Sequence, residues 1–360
     1  MLQQNLRRLG KPVIATLIRR LPRPAAAAVR RAAERLAFRL TPAHQALTLP
    51  DIFHYWAGHY VQPLLRAHGY DSPEDMYLKQ LRLAAASLDD RPLRIVSAGS
   101  GDGELEVRLA AALAAQDVDF RLAGVDLNPS LVASAQQRAH AHGLGDRVRF
   151  MVADCNRGGL GQEQDVILVN QFLHHVEQLE EFCRLARAAL APNGRVLTSD
   201  VVGRNGHLLW PTVRHEVDHF WRELPPERRR DRSTGRICDT YQEVNHAAFS
   251  SEGICAQGIV AELSACFDFE LFITYGACII PFVERRFGGN FDPDRAEDRA
   301  FIDQVQARDA ELIEPGCIPA SNMLAVLRHK GLAARAEFDP VSPDEHVRLT
   351  RAQQAPDDSV

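Results

Sequence analysis

Three glycines within five residues carry the clearest chemical signal in this chain. Gly99, Gly101 and Gly103 follow a short apolar run and precede a run of helical composition. A strand, a glycine turn and a helix N-terminus together offer backbone N–H groups to a nucleotide-like ligand. Glycine has no Cβ, so a ligand can approach the backbone closely. We therefore predict a ligand site at this turn, with Ser100 included in it.

An acid ends the next apolar run, which covers residues 120–126. Asp126 lies 23 residues after Gly103. At the tip of a second strand, a carboxylate can accept hydrogen bonds from both hydroxyls of a ribose. The glycine turn and Asp126 are therefore predicted to hold different parts of one ligand.

The elements that must position these residues alternate between short apolar strands and helices, which predicts an α/β fold with a doubly wound, mostly parallel sheet. The strands are predicted at 93–98, 120–126, 147–153, 165–169 and 194–201. In such a sheet the ligand crevice forms outside the carboxyl ends of the strands. The residues that follow these strands are therefore expected to share one edge, namely the glycine turn, Asp126, Asp154, Asn170 and Asp200.

These features resemble the class I S-adenosylmethionine-dependent methyltransferases, particularly the small-molecule type found in ubiquinone and menaquinone biosynthesis. The resemblance covers residues 90–202 well and residues 266–330 more loosely. It implies a seven-stranded, Rossmann-like methyltransferase fold, with residues 267–275 and 323–328 as the last two strands, and S-adenosyl-L-methionine as the cofactor. The cofactor-binding residues that it implies are Gly99, Ser100, Gly101, Gly103, Asp126, Leu127, Asp154, Cys155 and Asn170.

The chain departs from this family at Ser97. The family usually has an acid two residues before the first glycine, and this chain has a serine there. The sequence therefore does not show which group holds the amino group of the methionine moiety.

Two adjacent histidines are the candidate general bases. His174 and His175 follow the fourth strand, where substrate and cofactor meet in this family. Methyl transfer from a sulfonium mainly requires alignment of nucleophile and methyl group, and a histidine base helps when the nucleophile carries a proton. Helical spacing predicts that His175 faces the sheet and His174 the crevice. The alternative is that His175 is a structural histidine and His174 only lines the pocket. Tyr60 and Phe172 are predicted to contact the substrate.

Residues 215–219 match the zinc-protease pattern H-E-x-x-H. The apolar residues of this helix, Val213, Val217 and Phe220, form one stripe, which places His215 and His219 on the opposite face. We therefore predict no metal site. A milder interpretation is that this helix roofs the substrate pocket with His215 and His219.

The composition of the chain excludes one class of binding partner. The 360 residues carry a net charge of −5, which argues against a general nucleic-acid binder. Seven cysteines without metal-ligand spacing predict reduced thiols and a cytoplasmic protein.

Ten Lys or Arg residues and one acid lie between positions 7 and 39. Three interpretations of this basic run stay open: solvated helices, a helix on an anionic membrane, and docking to an acidic partner or anionic substrate.

We divide the chain into a helical N-terminal cap (1–89), a methyltransferase domain (90–330) and a disordered tail (331–360). The domain includes two predicted insertions, 203–265 and 276–320. The expected activity is S-adenosylmethionine-dependent methyl transfer to an O, N or C nucleophile of a small organic molecule. The alternatives are a protein or tRNA methyltransferase and a non-catalytic regulator that binds the cofactor.

Overall fold

The computed structural model describes residues 48–333 and 335–354, with scattered positions between 15 and 30. In that part of the chain eight strands form one sheet, in the order β3-β2-β1-β4-β5-β7-β6-β8. Their bounds are β1 Leu93–Ala98, β2 Phe120–Asp126, β3 Val148–Val152, β4 Gln164–Asn170, β5 Leu190–Val201, β6 Phe267–Tyr275, β7 Asn322–His329 and β8 Glu337–Asp339.

The sheet is mostly parallel. Strands β1 to β5 run in one direction, and β7 lies antiparallel between β5 and β6. The strand order reverses beside β1, so the carboxyl ends of β1 and β4 diverge there and leave room for a ligand. The predicted α/β, doubly wound fold is confirmed. The sheet has one strand more than the seven predicted.

Helices cover both faces of the sheet. Their bounds are α1 Asp51–Trp56, α2 Gln62–Ala67, α3 Pro73–Ala86, α4 Glu104–Ala114, α5 Pro129–Ala141, α6 Leu179–Ala189, α7 Pro211–Glu223, α8 Ile259–Cys266, α9 Ile280–Val283, α10 Ala296–Ile313 and α11 Pro343–Gln353. A single π-helical turn, Ala57–Val61, joins α1 to α2. One apolar core includes Trp56 and Tyr77 of the N-terminal helices, and a second core on the other face includes Phe182 of α6.

The predicted disordered tail is wrong for much of its length. Strand β8 pairs in parallel with β6 and extends the sheet. Helix α11 packs on α8, and its His346 and Leu349 are buried. The acids between 337 and 345 suggested a solvated end, but Glu337 and Asp339 lie within 4 Å of His68 of the N-terminal helices. These contacts join parts of the chain far apart in sequence, so composition alone did not reveal them.

Two long connections on either side of β6 contain the two predicted insertions. Residues 202–266 connect β5 to β6 and residues 276–321 connect β6 to β7. Most of the basic run between positions 7 and 39 lies outside the described residues, which include only Arg20 and Arg30 of its ten basic side chains. Among the described helices, none is both long enough and apolar enough to cross a membrane.

Candidate active site

The turn after β1 has backbone conformations that favour glycine. Gly99, Gly101 and Gly103 have φ angles of +69°, +54° and +72°. A Cβ at Gly99 would lie 2.1 Å from Cδ2 of Phe172, and one at Gly103 would lie 2.6 Å from Cζ of Phe150. A Cβ at Gly101 would meet no atom of the described residues within 4 Å. The turn is thus tightly packed at both ends and open in the middle.

Asp126, at the end of β2, contacts the middle of this turn. Its Oδ2 accepts the N–H of Gly101 at 3.0 Å, and its Oδ1 accepts the N–H of Asn128 at 2.7 Å. Burial raises the pKa of Asp126, although these backbone hydrogen bonds act in the opposite direction. Leu127 follows as an exposed residue. The glycine turn and the acid therefore meet in one place, as one shared ligand requires.

The end of β3 joins the same place. The N–H of Ala153 donates to the backbone oxygen of Asp126 at 3.1 Å. Cys155 is buried next to the turn, and burial raises the pKa of its thiol to about 12, while a hydrogen bond with the Gly99 backbone lowers it. Oδ1 of Asp154 accepts the N–H of Asn156 at 3.0 Å, so Asp154 also stabilises the turn that it starts.

Asn170, the last residue of β4, is held from the N-terminal helices. The hydroxyl of Tyr77 on α3 donates to Oδ1 of Asn170 at 2.9 Å. Tyr77 is fully buried, so α3 lies directly against the carboxyl edge of the sheet. The sequence analysis missed Tyr77, because nothing in its spacing distinguishes it from an ordinary core aromatic residue.

A buried acid organises the segment after β4. Oδ2 of Asp200 on β5 accepts the N–H groups of Phe172 at 2.9 Å and Leu173 at 2.7 Å. Its Oδ1 lies 2.6 Å from Nδ1 of His174. Burial opposes a charge on His174, but Asp200 and Glu252 outweigh it and raise the pKa of His174 to about 10. His174 is therefore protonated at neutral pH.

Glu252, between β5 and β6, gathers three histidines. Its Oε1 lies 2.8 Å from Nε2 of His207 and 3.4 Å from Nε2 of His174, and its Oε2 lies 3.6 Å from Nε2 of His175. Burial and the charge on His174 lower the pKa of His175 to about 4, so His175 is neutral at neutral pH. We call these four residues and Asp200 the histidine cluster.

The two adjacent histidines do not lie in the helix that their predicted orientation assumed. His174 is buried, whereas the side chain of His175 is 34% exposed. The pair lies in a 3-10 turn, Leu173–His175, and α6 begins only at Leu179. Helical spacing therefore does not apply to this pair, and their orientation follows from the 3-10 turn.

The part of the chain that forms this site is similar to known proteins. Residues 96–196, which include the glycine turn, Asp126 and the histidine pair, match a family model described as a methyltransferase domain. These residues are therefore similar to a methyltransferase domain. The strand ends that the sequence analysis assigned to the cofactor lie within or next to the matched residues.

Two curated proteins each match part of this chain. The 27-O-demethylrifamycin SV methyltransferase of Amycolatopsis mediterranei (strain S699) is 30% identical over 143 residues, which is 37% of this chain and 50% of that protein. The 3-methylorcinaldehyde synthase of Phoma sp is 27% identical over 135 residues, 37% of this chain and 5% of that protein. The chain thus spans half or less of the relatives that it matches.

A solved structure also resembles the chain. It is a geranyl diphosphate C-methyltransferase from Streptomyces coelicolor A3(2), in complex with Mg²⁺, geranyl diphosphate and S-adenosyl-L-homocysteine. It is 12% identical, with 71% of this chain and 79% of that chain covered and a TM-score of 0.41.

The four residues that the sequence predicts to contact the substrate lie in different places. Phe172 packs over Gly99, next to the turn. Tyr60 donates its hydroxyl to Asp303 of α10 at 2.7 Å. The side chains of His215 and His219 are 81% and 55% exposed, because the apolar stripe of α7 faces the core. The described contacts bring only Phe172 to the glycine turn.

Ser97, which stands where the family usually has an acid, contacts an acid on the following helix, Glu106. Oγ of Ser97 donates to Oε1 of Glu106 at 2.7 Å, and both side chains are buried. Burial raises the pKa of Glu106 to about 7, although the hydrogen bond from Ser97 lowers it. Glu106 lies on the apolar face of α4 with Ala110 and Leu113. A charged residue in an apolar stripe is unusual, so the sequence could have identified Glu106 as a candidate site residue.

Proposed function

We propose that this chain transfers the methyl group of S-adenosylmethionine to an O, N or C nucleophile of a small organic molecule. The contact between Asp126 and Gly101 carries the proposal, because it places an acceptor for ribose hydroxyls at the open middle of the glycine turn. The sulfonium is a good leaving group, so the protein mainly has to align the nucleophile with the methyl group for in-line displacement.

The strand ends suggest how the cofactor is held. Asp126 would accept hydrogen bonds from the ribose, and the backbone of the glycine turn would approach the methionine moiety. Asp154 and Cys155, beside Asp126, would border the adenine. Asn170, fixed by Tyr77, would form the edge that faces the substrate.

We further assign to Glu106 the role that the family gives to an acid at the position of Ser97. The carboxylate of Glu106 is held by Ser97, in the first turn of the helix that follows the glycine turn. A carboxylate there can pair with the amino group of the methionine moiety. The acid would thus come from the helix, while the strand supplies only a hydroxyl donor.

Replacing Glu106 by glutamine should weaken binding of S-adenosylhomocysteine by about tenfold, because one charge-assisted hydrogen bond contributes roughly 1.5 kcal/mol. Methylthioadenosine lacks the amino acid portion, so its affinity should not change. Since the pKa of Glu106 is about 7, wild-type affinity for S-adenosylhomocysteine should also rise with pH across neutrality. Calorimetric titration of the wild type and the variant with each ligand measures these affinities. An equal loss for both ligands would mean that Glu106 only supports the turn.

We assign the general-base role to His175 where the nucleophile carries a proton. His174 is protonated at neutral pH and both of its ring nitrogens face carboxylates, so it has no free lone pair for a substrate proton. His175 is neutral and half-exposed, so it can accept one. Its low pKa suits a nucleophile that is itself easily deprotonated.

Titration of the purified protein with S-adenosylhomocysteine tests the proposed function. Asp126→Ala should raise the Kd about 30-fold or more, since it removes acceptors worth at least roughly 2 kcal/mol. Asp119→Ala is the matched control, because Asp119 precedes the same strand at the opposite edge and its side chain is 63% exposed. Equal affinity for both variants, at unchanged melting temperature, would contradict the assigned site.

The reaction itself is tested by incubating the protein with S-adenosylmethionine and a metabolite mixture. Mass spectrometry should detect products about 14 Da heavier than their precursors, one hydrogen having been replaced by methyl. His175→Ala should reduce product formation without changing S-adenosylhomocysteine affinity. Cofactor binding without any methylated product would favour the non-catalytic regulator instead.

A further inference from the structure

We propose that His174, His207 and Glu252 form a binding site for a divalent transition-metal ion such as Zn²⁺. The three side chains come from separate segments: the turn after β4, the turn Asn205–His207 after β5, and the loop before α8. Their ligand atoms lie within 4.8 Å of one another. Ligands of a tetrahedral zinc ion lie about 3.4 Å apart, so only small side-chain shifts are needed to bind one.

Asp200 sets the orientation of the first ligand. Its carboxylate faces Nδ1 of His174 at 2.6 Å, and Nε2 of that ring points to Glu252 at 3.4 Å. In metal sites a ligating histidine usually donates its second N–H to a carboxylate, which fixes the ring and makes the other nitrogen a better ligand. Zinc would displace the proton that Nε2 of His174 carries in the absence of metal, so binding releases a proton. Asp200 is itself fixed by the N–H groups of Phe172 and Leu173, so this arrangement is rigid.

The backbone at the second ligand is held in an uncommon conformation. His207 has a φ of +57°, in the left-handed region that few non-glycine residues adopt. The preceding Gly206 is closely packed, since a Cβ there would lie 2.2 Å from Oδ1 of Asn245. Such strain persists only where surrounding contacts enforce it, and it is concentrated at functional sites. Here it places Nε2 of His207 2.8 Å from Glu252.

The ligand set indicates the class of metal. Two imidazoles and one carboxylate suit zinc and neighbouring transition metals, whereas Mg²⁺ prefers oxygen ligands alone. Three protein ligands leave a fourth position for water or a substrate oxygen. The side chains of Glu252 and His175 are 40% and 34% exposed, so that position is open to solvent. The zinc-protease pattern at 215–219 contributes nothing to this site.

Equilibrium dialysis of the full chain against Zn²⁺, with metal analysis, tests the proposal. We expect one tightly bound ion per wild-type chain and no comparable binding of Mg²⁺. His207→Asn and Glu252→Gln should each weaken zinc binding at least tenfold. Asparagine is chosen because it tolerates positive φ, and glutamine because it keeps the size of glutamate.

His219→Asn is the matched control, since His219 is exposed and also lies beside a glutamate, Glu223. This variant should bind zinc as the wild type does. Co²⁺ in place of Zn²⁺ should give the visible absorption of a four- or five-coordinate site in wild type and control only. Wild-type melting temperature should rise with zinc, which provides a readout even where a variant folds poorly.

Two results would overturn the proposal. One is zinc binding that His207→Asn and Glu252→Gln leave unchanged, which would place the ion elsewhere on the surface. The other is the absence of a bound ion in the folded wild type, which would mean that the three side chains form only a hydrogen-bonded network. Neither result depends on methyl transfer, so either of them would leave the proposed function unaffected.

Discussion

Replacing Asp200 by alanine is expected to lower the free energy of unfolding by about 3–5 kcal/mol. The carboxylate is fully buried and accepts hydrogen bonds from the backbone N–H groups of Phe172, Leu173 and Val201, besides facing the ring of His174. Alanine would leave the N–H groups of Phe172 and Leu173 unpaired and the imidazolium of His174 with only Glu252 beside it. Urea unfolding of the wild type and the variant measures the loss.

Two further variants separate charge from packing in that experiment. Asp200→Asn keeps the volume but turns one acceptor into a donor, so about half of the loss should remain. Asp119→Ala removes an exposed aspartate and should cost less than about 0.5 kcal/mol. A small effect of Asp200→Ala, comparable with that of Asp119→Ala, would show that His174 is neutral and does not depend on Asp200.

Two glycine variants should separate cofactor binding from folding. Gly101→Ala adds a methyl group that meets no described atom within 4 Å, so its stability cost should be limited to the roughly 1–2 kcal/mol of left-handed strain. The added methyl group would occupy the space assigned to the cofactor. S-adenosylhomocysteine affinity should therefore fall about 30-fold or more, a loss of roughly 2 kcal/mol.

Gly99→Ala is the counterpart that should damage the fold. Its Cβ would lie 2.1 Å from the Phe172 ring, so the ring must move, and the φ of +69° adds strain. We expect a stability loss of about 3 kcal/mol by urea unfolding. Normal cofactor affinity in Gly101→Ala would show that the ligand does not lie over the middle of the turn.

The sheet was predictable because its signals are local. The boundaries of β1, β2 and β6 agree with the predicted strands, since apolar runs there end at glycine or polar residues. The proximity of Asp126 to the glycine turn was also predictable, because the strand ends of a parallel sheet share one edge, although their direct hydrogen bond was not. Pattern and topology were enough for this part of the site.

The histidine cluster was not predictable, because its members are joined only by tertiary contacts. His207 and Glu252 are 45 residues apart and belong to irregular segments with no periodic pattern. Helical spacing does not describe His174 and His175, because the chain forms a 3-10 turn there. Strand β8 and α11 were missed for a similar reason, because their stability comes from β6 and α8, not from their own composition.

Asp200 also links the glycine turn to the other members of the histidine cluster. One of its oxygens fixes the backbone of Phe172, whose ring covers Gly99, and the other faces the imidazole directed at Glu252. A displacement of this carboxylate would therefore reach the glycine turn and the histidine cluster together. Thermodynamic reciprocity then applies: if a ligand at the turn changes affinity at the cluster by some factor, a ligand at the cluster changes affinity at the turn by the same factor.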